Sequence, residues 1–237
     1  MLQILIALAA GPGQFQADTS YLYRTLLLRA APGELLAVID LYQQHRPTYA
    51  ASGDGAPFIA RHRQGDHWDL MLIFPMGSFA AYYAPDRITR RAQAEQAFEA
   101  RVAHRVSWRE EVFVMGPPVD VIRERLAGGA LYHIEMFVAL PGKRDELFRE
   151  REMENAYLAA LVRPQNLIFT RVAGAAWDLF TLGVYRDMTH FAASDQIPAE
   201  RKNDAALAVG FEAADRIGTY LRTLILLHHD TLAAPIR

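Results

Sequence analysis

The sequence predicts an α+β fold made of two tandem βαββαβ units, and a repeated segment carries this prediction. The pattern G-x-x-W-D-L occurs twice, with Trp68 and Trp177 separated by 109 positions. Other residues repeat at the same spacing: Leu22-Tyr23, Pro32-Gly33 and Gly65 recur as Leu131-Tyr132, Pro141-Gly142 and Gly174. Because the spacing stays constant, we interpret the two halves as an internal duplication.

Each unit opens with a strand-like run, "YLYRTLLLRA" or "LYHIEMFVAL", that a Pro-Gly turn signal ends. A helix follows in each unit. In the first unit it is "ELLAVIDLYQQH", whose apolar residues recur at helical spacing and predict one buried stripe: Leu35, Val38, Ile39 and Tyr42. The second helix, within residues 142–163, is longer and has charges of alternating sign, which is typical of a solvated face.

Two strands around a Gly-containing turn come next, "PFIARHRQGDHWDLMLIF" and "NLIFTRVAGAAWDLFTLGVY". A second helix is predicted within residues 88–105 of the first unit and 198–217 of the other. The closing strands are "WREEVFVMG" and "YLRTLILLHH". The order βαββαβ is that of the ferredoxin-like unit, so we place one unit at residues 20–127 and another at 128–237.

The opening "YHIEMFVALPGKRDELF" followed by a Trp-containing hairpin resembles the dimeric α/β-barrel superfamily, and within it NIPSNAP-type proteins, over roughly residues 20 to 230. The resemblance implies two plaits packed sheet to sheet within one chain, with a cleft where they meet. It implies either a cofactor-independent enzyme of monooxygenase, isomerase or lyase type acting on a small molecule, or a non-enzymatic binding or assembly module. A homo-oligomer is a further expectation. Trp68 and Trp177 are expected to anchor the core.

Composition excludes several classes of function. The chain has 237 residues with a net charge of −2 and no basic patch, so we expect a globular protein that does not bind nucleic acid. The absence of cysteine excludes disulfides, thiolate metal sites and a thiol nucleophile.

The first residues resemble a secretory signal. Leu2–Ala10 is apolar and is followed by "GPGQFQADTS", although no basic residue precedes it. The run is about half as long as a membrane span requires, so no span is expected. We therefore interpret residues 1–19 as a leader of a periplasmic or secreted protein. A buried first strand or a disordered leader in a cytoplasmic protein is the alternative.

His133 and Glu135 are the candidate catalytic pair. Residues two apart on a strand face the same side, and a histidine beside a carboxylate can move a proton with its tautomer fixed. The matching positions of the first unit hold Arg24 and Leu26, so one half alone carries the titratable pair. We expect the pair to face the cleft between the sheets, with a structural strand histidine as the alternative.

Other polar residues are candidates for substrate binding. Asp69 and Asp178 are expected on the strand face opposite the neighbouring tryptophans, where a carboxylate needs a partner. Four arginines could offset the charge of an acidic or enolisable small molecule: Arg24, Arg109, Arg171 and Arg222. Ion pairing at the sheet edges is the alternative for all of these residues.

No metal and no cofactor are expected. Tandem plaits also occur in chlorite-dismutase-like haem proteins, where a histidine of the second unit ligates iron, but the long helix here contains no histidine. His190 lies in the next segment, so haem binding is a minor alternative. His228 and His229 would point to opposite faces of a strand and would not share a metal. The HExxH, phosphate-loop and G-x-S-x-G motifs are absent.

Overall fold

The computed structural model describes residues 21–237, so the predicted leader lies outside the described residues. The strands are β1 (Tyr21–Ala30), β2 (Phe58–Gln64), β3 (Leu70–Gly77), β4 (Val106–Gly116), β5 (Leu131–Ala139), β6 (Leu167–Gly174), β7 (Leu179–Tyr185) and β8 (Ile225–Ile236). The helices are α1 (Leu35–Ser52), α2 (Phe79–Tyr82), α3 (Pro85–Ala103), α4 (Val119–Ala127), α5 (Arg144–Ala160), α6 (Met188–Ala192), α7 (Ala199–Ala208) and α8 (Ile217–Arg222). None of these helices combines the length and the apolarity that crossing a membrane requires.

The strands form a closed antiparallel barrel in the order β1-β3-β2-β8-β5-β7-β6-β4. The first four strands of the chain are contiguous in this order, and so are the last four. The two sheets join at two seams, where β2 pairs with β8 and β4 pairs with β6. The predicted α+β class, with two ferredoxin-like arrangements of strands and helices, is confirmed.

The barrel interior is packed with apolar side chains. One buried cluster takes residues from all eight strands and from α4, and its members include Tyr23, Trp68, Phe169, Trp177 and Phe180. Trp68 is fully buried and Trp177 is 6% exposed, so the prediction that both anchor the core is confirmed. These large side chains fill the space between the sheets, where the resemblance implied a cleft.

The helices cover the outer faces of the barrel. In the first unit, Val38 and Tyr42 of α1 pack with Leu26 and Leu72 of the sheet. The predicted stripe therefore faces the sheet. The helix runs further than the pattern indicated and ends at Gly53, whose N–H donates to the Ala50 carbonyl at 3.1 Å. The left-handed φ of 84° at this glycine lets the next N–H, that of Asp54, donate to the Tyr49 carbonyl at 2.8 Å.

Several boundaries differ from the predicted ones. The helix α4, between the two units, was not predicted. The helical pattern within residues 198–217 breaks, because Gly210 adopts a positive φ of 98° after α7, and helical structure resumes in a short 3₁₀ turn and α8. The closing strand begins at Ile225 and continues to Ile236, because its second half pairs with β2 across the seam.

Candidate functional site

His133 and Glu135 lie on the face of β5 that the helices cover. Their neighbours Tyr132, Ile134 and Met136 belong to the interior cluster, so strand alternation turns the two polar side chains outward. The expectation that the pair faces the space between the sheets is therefore wrong. An apolar barrel interior would leave these polar groups without partners, whereas the helix face supplies them.

Asp230 is the hydrogen-bonding partner of His133. The His133 Nε2 lies 3.2 Å from the Asp230 Oδ1, and the Asp230 Oδ2 lies 3.2 Å from the Nε2 of His228. Phe191 of α6 packs against the His133 ring with 5.2 Å between centroids. The His133 side chain is 20% exposed and that of Asp230 is 52% exposed, so the pair stands at the boundary between buried and accessible surface.

Electrostatics favours the charged form of this pair. Burial alone would lower the pKa of His133, but the hydrogen bond to Asp230 and the negative charge of Glu135 raise it above its usual 6.5. The hydrogen bond from His133 in turn lowers the pKa of Asp230. A histidine beside an orienting carboxylate can accept and return a proton.

Glu135 has partners other than His133. It accepts a hydrogen bond of 3.0 Å from the Thr181 hydroxyl of β7, and the Arg151 Nη1 lies 3.8 Å away. The predicted His133–Glu135 couple is thus a pair of neighbours, each of which is held by a different group. The carboxylate that orients the histidine is Asp230.

Two charged residues of α5 face the sheet instead of solvent. Glu150 is fully buried and Arg151 is 2% exposed, and the two join through bonds of 2.5 and 2.7 Å. Arg151 also lies 2.7 Å from Glu154 and 5.0 Å above the ring of Phe137. The expectation of a solvated face is wrong here, because a bidentate ion pair compensates the cost of burying the charges.

The equivalent place in the first unit is mostly apolar. Residues 109 positions before Glu150 and Arg151 are Leu41 and Tyr42, and both are buried against the first sheet. That face also carries ion pairs: Arg24 of β1 lies 3.1 Å from Glu111 of β4, and Arg109 of β4 lies 3.5 Å from the same carboxylate. Among the described residues, the charged side chains buried most completely, Glu150 and Arg151, both lie in the second unit.

The structure separates the predicted substrate-binding arginines from His133. Arg24 lies on the helix face of the first sheet, 4.2 Å above the ring of Phe74. Arg109 is exposed on β4 beside Glu99 and Glu111. Arg222 lies in α8 instead of on a strand, and it donates to the carbonyl of Gly218.

Asp69 and Asp178 stabilise the ends of strands. Asp69 accepts a 2.8 Å bond from the Ala30 N–H, and Asp178 accepts a 2.9 Å bond from the Ala139 N–H. Arg171 donates to Asp178 at 2.5 Å. These contacts replace the predicted ligand contacts of all three residues, because each charged group already has a partner within the fold.

His133, Glu135 and Asp230 are also residue types that bind metals. Within residues 21–237 they form the one group of this kind whose ligand atoms all lie within 4.8 Å of one another. However, the guanidinium of Arg151 stands beside Glu135, and His133 is hydrogen-bonded to Asp230. We therefore interpret the group as an ion-pair network, with metal binding as an outcome to be tested.

The residues do not fit haem. The helix α5 offers the second sheet Leu147, Glu150 and Arg151, and it contains no histidine. His190 lies on α6, where its Nδ1 is 3.3 Å from the Arg186 N–H. An axial histidine aimed at the sheet is therefore missing from the helix face of the second unit as far as the structure describes it.

Comparisons with known proteins found similarity in fold and none in sequence. No protein-family model and no curated protein matches the sequence. Among solved structures, an anthrone oxidase-like protein aligns with a TM-score of 0.63 and 11% identity over 93% of this chain and 92% of the other. A candidate monooxygenase from Lactobacillus acidophilus aligns with a TM-score of 0.56 and 7% identity over 92% and 94%.

A mutant chlorite dismutase from Candidatus Nitrospira defluvii aligns with a TM-score of 0.54 and 12% identity over 93% of each chain. Identities this low show a shared fold and leave the chemistry to the residues of the site.

Sequence reasoning missed four members of the network: Glu150, Arg151, Glu154 and Asp230. Leu147, Arg151 and Glu154 lie at i, i+4 and i+7 and share one helix face, so helical spacing from the apolar Leu147 could have placed two of them. Asp230 had no such signal, because the predicted closing strand stopped one residue before it.

Proposed function

We propose that this protein binds a small organic molecule on the helix-covered face of its second sheet and that His133, oriented by Asp230, exchanges a proton with it. The observation that supports the proposal is the convergence of His133, Glu135 and Asp230 within 4.8 Å, at a place where the first unit has Arg24, Leu26 and Glu111 and so lacks a titratable histidine. Titratable groups with specific partners at the edge of a buried region are typical of functional sites.

The charge of the network favours a neutral ligand over an acidic one. Four carboxylates stand around the site, those of Glu135, Glu150, Glu154 and Asp230, and Arg151 is the buried cation among them. A carboxylate ligand would be repelled there. A neutral phenol or an enolisable ketone keeps its charge at zero until it gives up a proton.

The proposed chemistry is a proton transfer. Neutral His133 takes a proton from the O–H or acidic C–H of the ligand, which leaves a phenolate or enolate and an imidazolium that Asp230 stabilises. Return of that proton to another carbon completes an isomerisation with no further reactant. The names of structural neighbours include monooxygenase and oxidase-like proteins, and an enolate is also the electron-rich form that dioxygen would attack.

The test is a binding screen with neutral phenols and small ketones. A bound ketone should take up solvent deuterium at its α-carbon, which NMR measures. His133→Ala should slow this uptake about 100-fold or more, since a positioned general base contributes on that order.

His104→Ala is the matched control, because His104 is exposed at the end of α3 and lies outside the network. The control should exchange deuterium like the parent. Equal uptake by the parent and a folded His133→Ala variant would refute the role of His133. If EDTA abolishes uptake and Zn²⁺ restores it, the three residues are a metal site and the cofactor-independent mechanism is wrong.

A non-enzymatic binding or assembly module of NIPSNAP-like type is the second candidate. The observation that favours it is the first half of β8, which within residues 21–237 pairs with β5 alone and exposes Leu226 at 65% and Leu227 at 43%. An unpaired apolar strand edge favours association with another chain. Light scattering that shows a dimer, converted to monomer by Leu226→Lys, would support this alternative and the expected homo-oligomer.

We also propose that the two units, 20–127 and 128–237, arose by tandem duplication and that residues 1–19 act as an export leader. The first proposal rests on matched contacts, since the Asp69 and Asp178 N–H groups bond the carbonyls of Leu28 and Phe137, again 109 positions apart. N-terminal sequencing of the protein from its host would test the second. A mature N-terminus at Met1 would contradict it.

A further inference from the structure

A cavity of about 520 Å³ lies at the end of the barrel where β1 begins and β3 ends, apart from the network of the second unit. Its volume is within the range of small-molecule pockets. The charged side chains that line it are Arg46 of α1, Arg87 of α3 and Arg123 of α4. No acidic side chain is among the described residues that line it.

The neighbourhood of the cavity has an excess of positive charge. Five arginines line it or stand beside it: Arg46, Arg87, Arg90, Arg91 and Arg123. Three aspartates pair with four of them: Asp54, Asp86 and Asp120. Arg46 is left without an acidic partner in the part of the chain that the structure describes. A positive region in a chain of net charge −2 favours an anion.

Arg87 is fixed at the cavity wall. Its guanidinium donates to Asp54 at 2.5 Å and to the carbonyls of Ala81 and Gly53 at 3.1 and 3.0 Å. Its buried Nε has no hydrogen-bond partner among the described residues. The phenol of Tyr21 also lines the cavity. Burial raises the pKa of this phenol, and the nearby charges of Arg87 and Arg123 act in the opposite direction.

The remaining wall is largely apolar. It includes Phe58, Pro75, Met76 and Val119. At Gly55 a Cβ would come within 3.1 Å of the Pro75 ring, so the backbone closes tightly on this side. Cations beside an apolar wall complement a ligand that has an anionic group on an apolar body.

We propose that this cavity is a second ligand site that binds a small organic anion, an aromatic or short aliphatic carboxylate. Arg46 and Arg123 hold the carboxylate, Arg87 supplies the fixed positive field, and the apolar wall takes the body of the ligand. The site is independent of the proton-transfer site, because it lies against the first sheet and α4.

The test is isothermal titration of the full chain with benzoate and with benzamide, its uncharged analogue of similar shape. Benzoate should bind and benzamide should not. The double variant Arg46→Gln/Arg123→Gln should weaken benzoate binding about tenfold or more, since each lost hydrogen bond to a charged group carries roughly that factor.

Arg125→Gln is the matched control, because Arg125 is an exposed arginine of the same α4 that does not line the cavity. It should bind benzoate like the parent, and so should His133→Ala, which separates this site from the proposed catalytic one. The proposal is overturned if benzamide binds as tightly as benzoate, if the double variant retains parental affinity, or if Arg125→Gln weakens binding equally.

Discussion

At the residue scale, matched positions of the two units carry different chemistry on the same backbone. Arg24 and His133 occupy equivalent positions of β1 and β5, and each pairs with a carboxylate of the last strand of its unit, Glu111 or Asp230. The arrangement of cation and anion is kept, while the titratable histidine is confined to the second unit. Single residues within a common backbone therefore create a chemical difference between the two units.

The two tryptophans should respond differently to a conservative substitution. Trp177 donates from Nε1 to Glu110 at 2.8 Å, whereas the buried Nε1 of Trp68 has no partner among the described residues. Alanine at either position should lower the free energy of unfolding by about 3 to 5 kcal/mol. Trp177→Phe should cost about 1 kcal/mol more than Trp68→Phe, because it leaves Glu110 without its donor. Urea denaturation measures both, and equal costs would contradict the contact.

Glu95 of α3 should make stability depend on pH. Burial raises its pKa from the usual 4.5 to about 7, with Arg24 acting in the opposite direction. The folded chain then binds more protons than the unfolded chain between these values, so its stability falls as pH rises through that window. Glu95→Gln should remove this slope and stabilise the protein above pH 7, whereas the exposed Glu124→Gln should not. Denaturation midpoints across the window provide the measurement.

At the element scale, the β2–β3 and β6–β7 hairpins are equivalent, and each supplies one strand to a seam between the two sheets. Their glycines Gly65 and Gly174 have φ of 121° and 88°, and a Cβ on them would lie 2.0 Å from the Asp230 carbonyl oxygen and 2.5 Å from that of Glu111. The sequence pattern predicted both hairpins, because the glycine and the tryptophan repeat at one spacing. It did not predict their partners, β8 and β4, since pairing across a seam leaves no periodic signal.

Substitution of these glycines by alanine should therefore destabilise the strand pairing at the seams. Gly65→Ala and Gly174→Ala should each lower the free energy of unfolding by about 1 to 3 kcal/mol, because positive φ strains alanine and the Cβ meets backbone. Gly128→Ala is the control, since nothing lies within 4 Å of its Cβ position and its φ is −94°. Thermal unfolding of the three variants tests this, and a stability loss in the control alone would contradict it.

At the scale of the whole molecule, the closing of the barrel determines which faces of the strands can carry polar side chains. The interior must be filled, and the aromatic side chains of the strands fill it. Alternation along β5 then places His133 and Glu135 under the helices. The sequence predicted the order of elements and the fold class, because both follow from local periodicity. It could not predict which face of β5 was interior, because both faces carry apolar residues.

The central claim is that His133 is held by Asp230 on the helix face of the second sheet. The most direct test is NMR titration of the histidine ring protons, with His133 assigned by its loss in His133→Gln. The account predicts a pKa above 6.5 for His133 in the parent and a clear decrease in Asp230→Asn, because the carboxylate stabilises the imidazolium. A His133 pKa at or below 6.5 in the parent, or one that Asp230→Asn leaves unchanged, would contradict it.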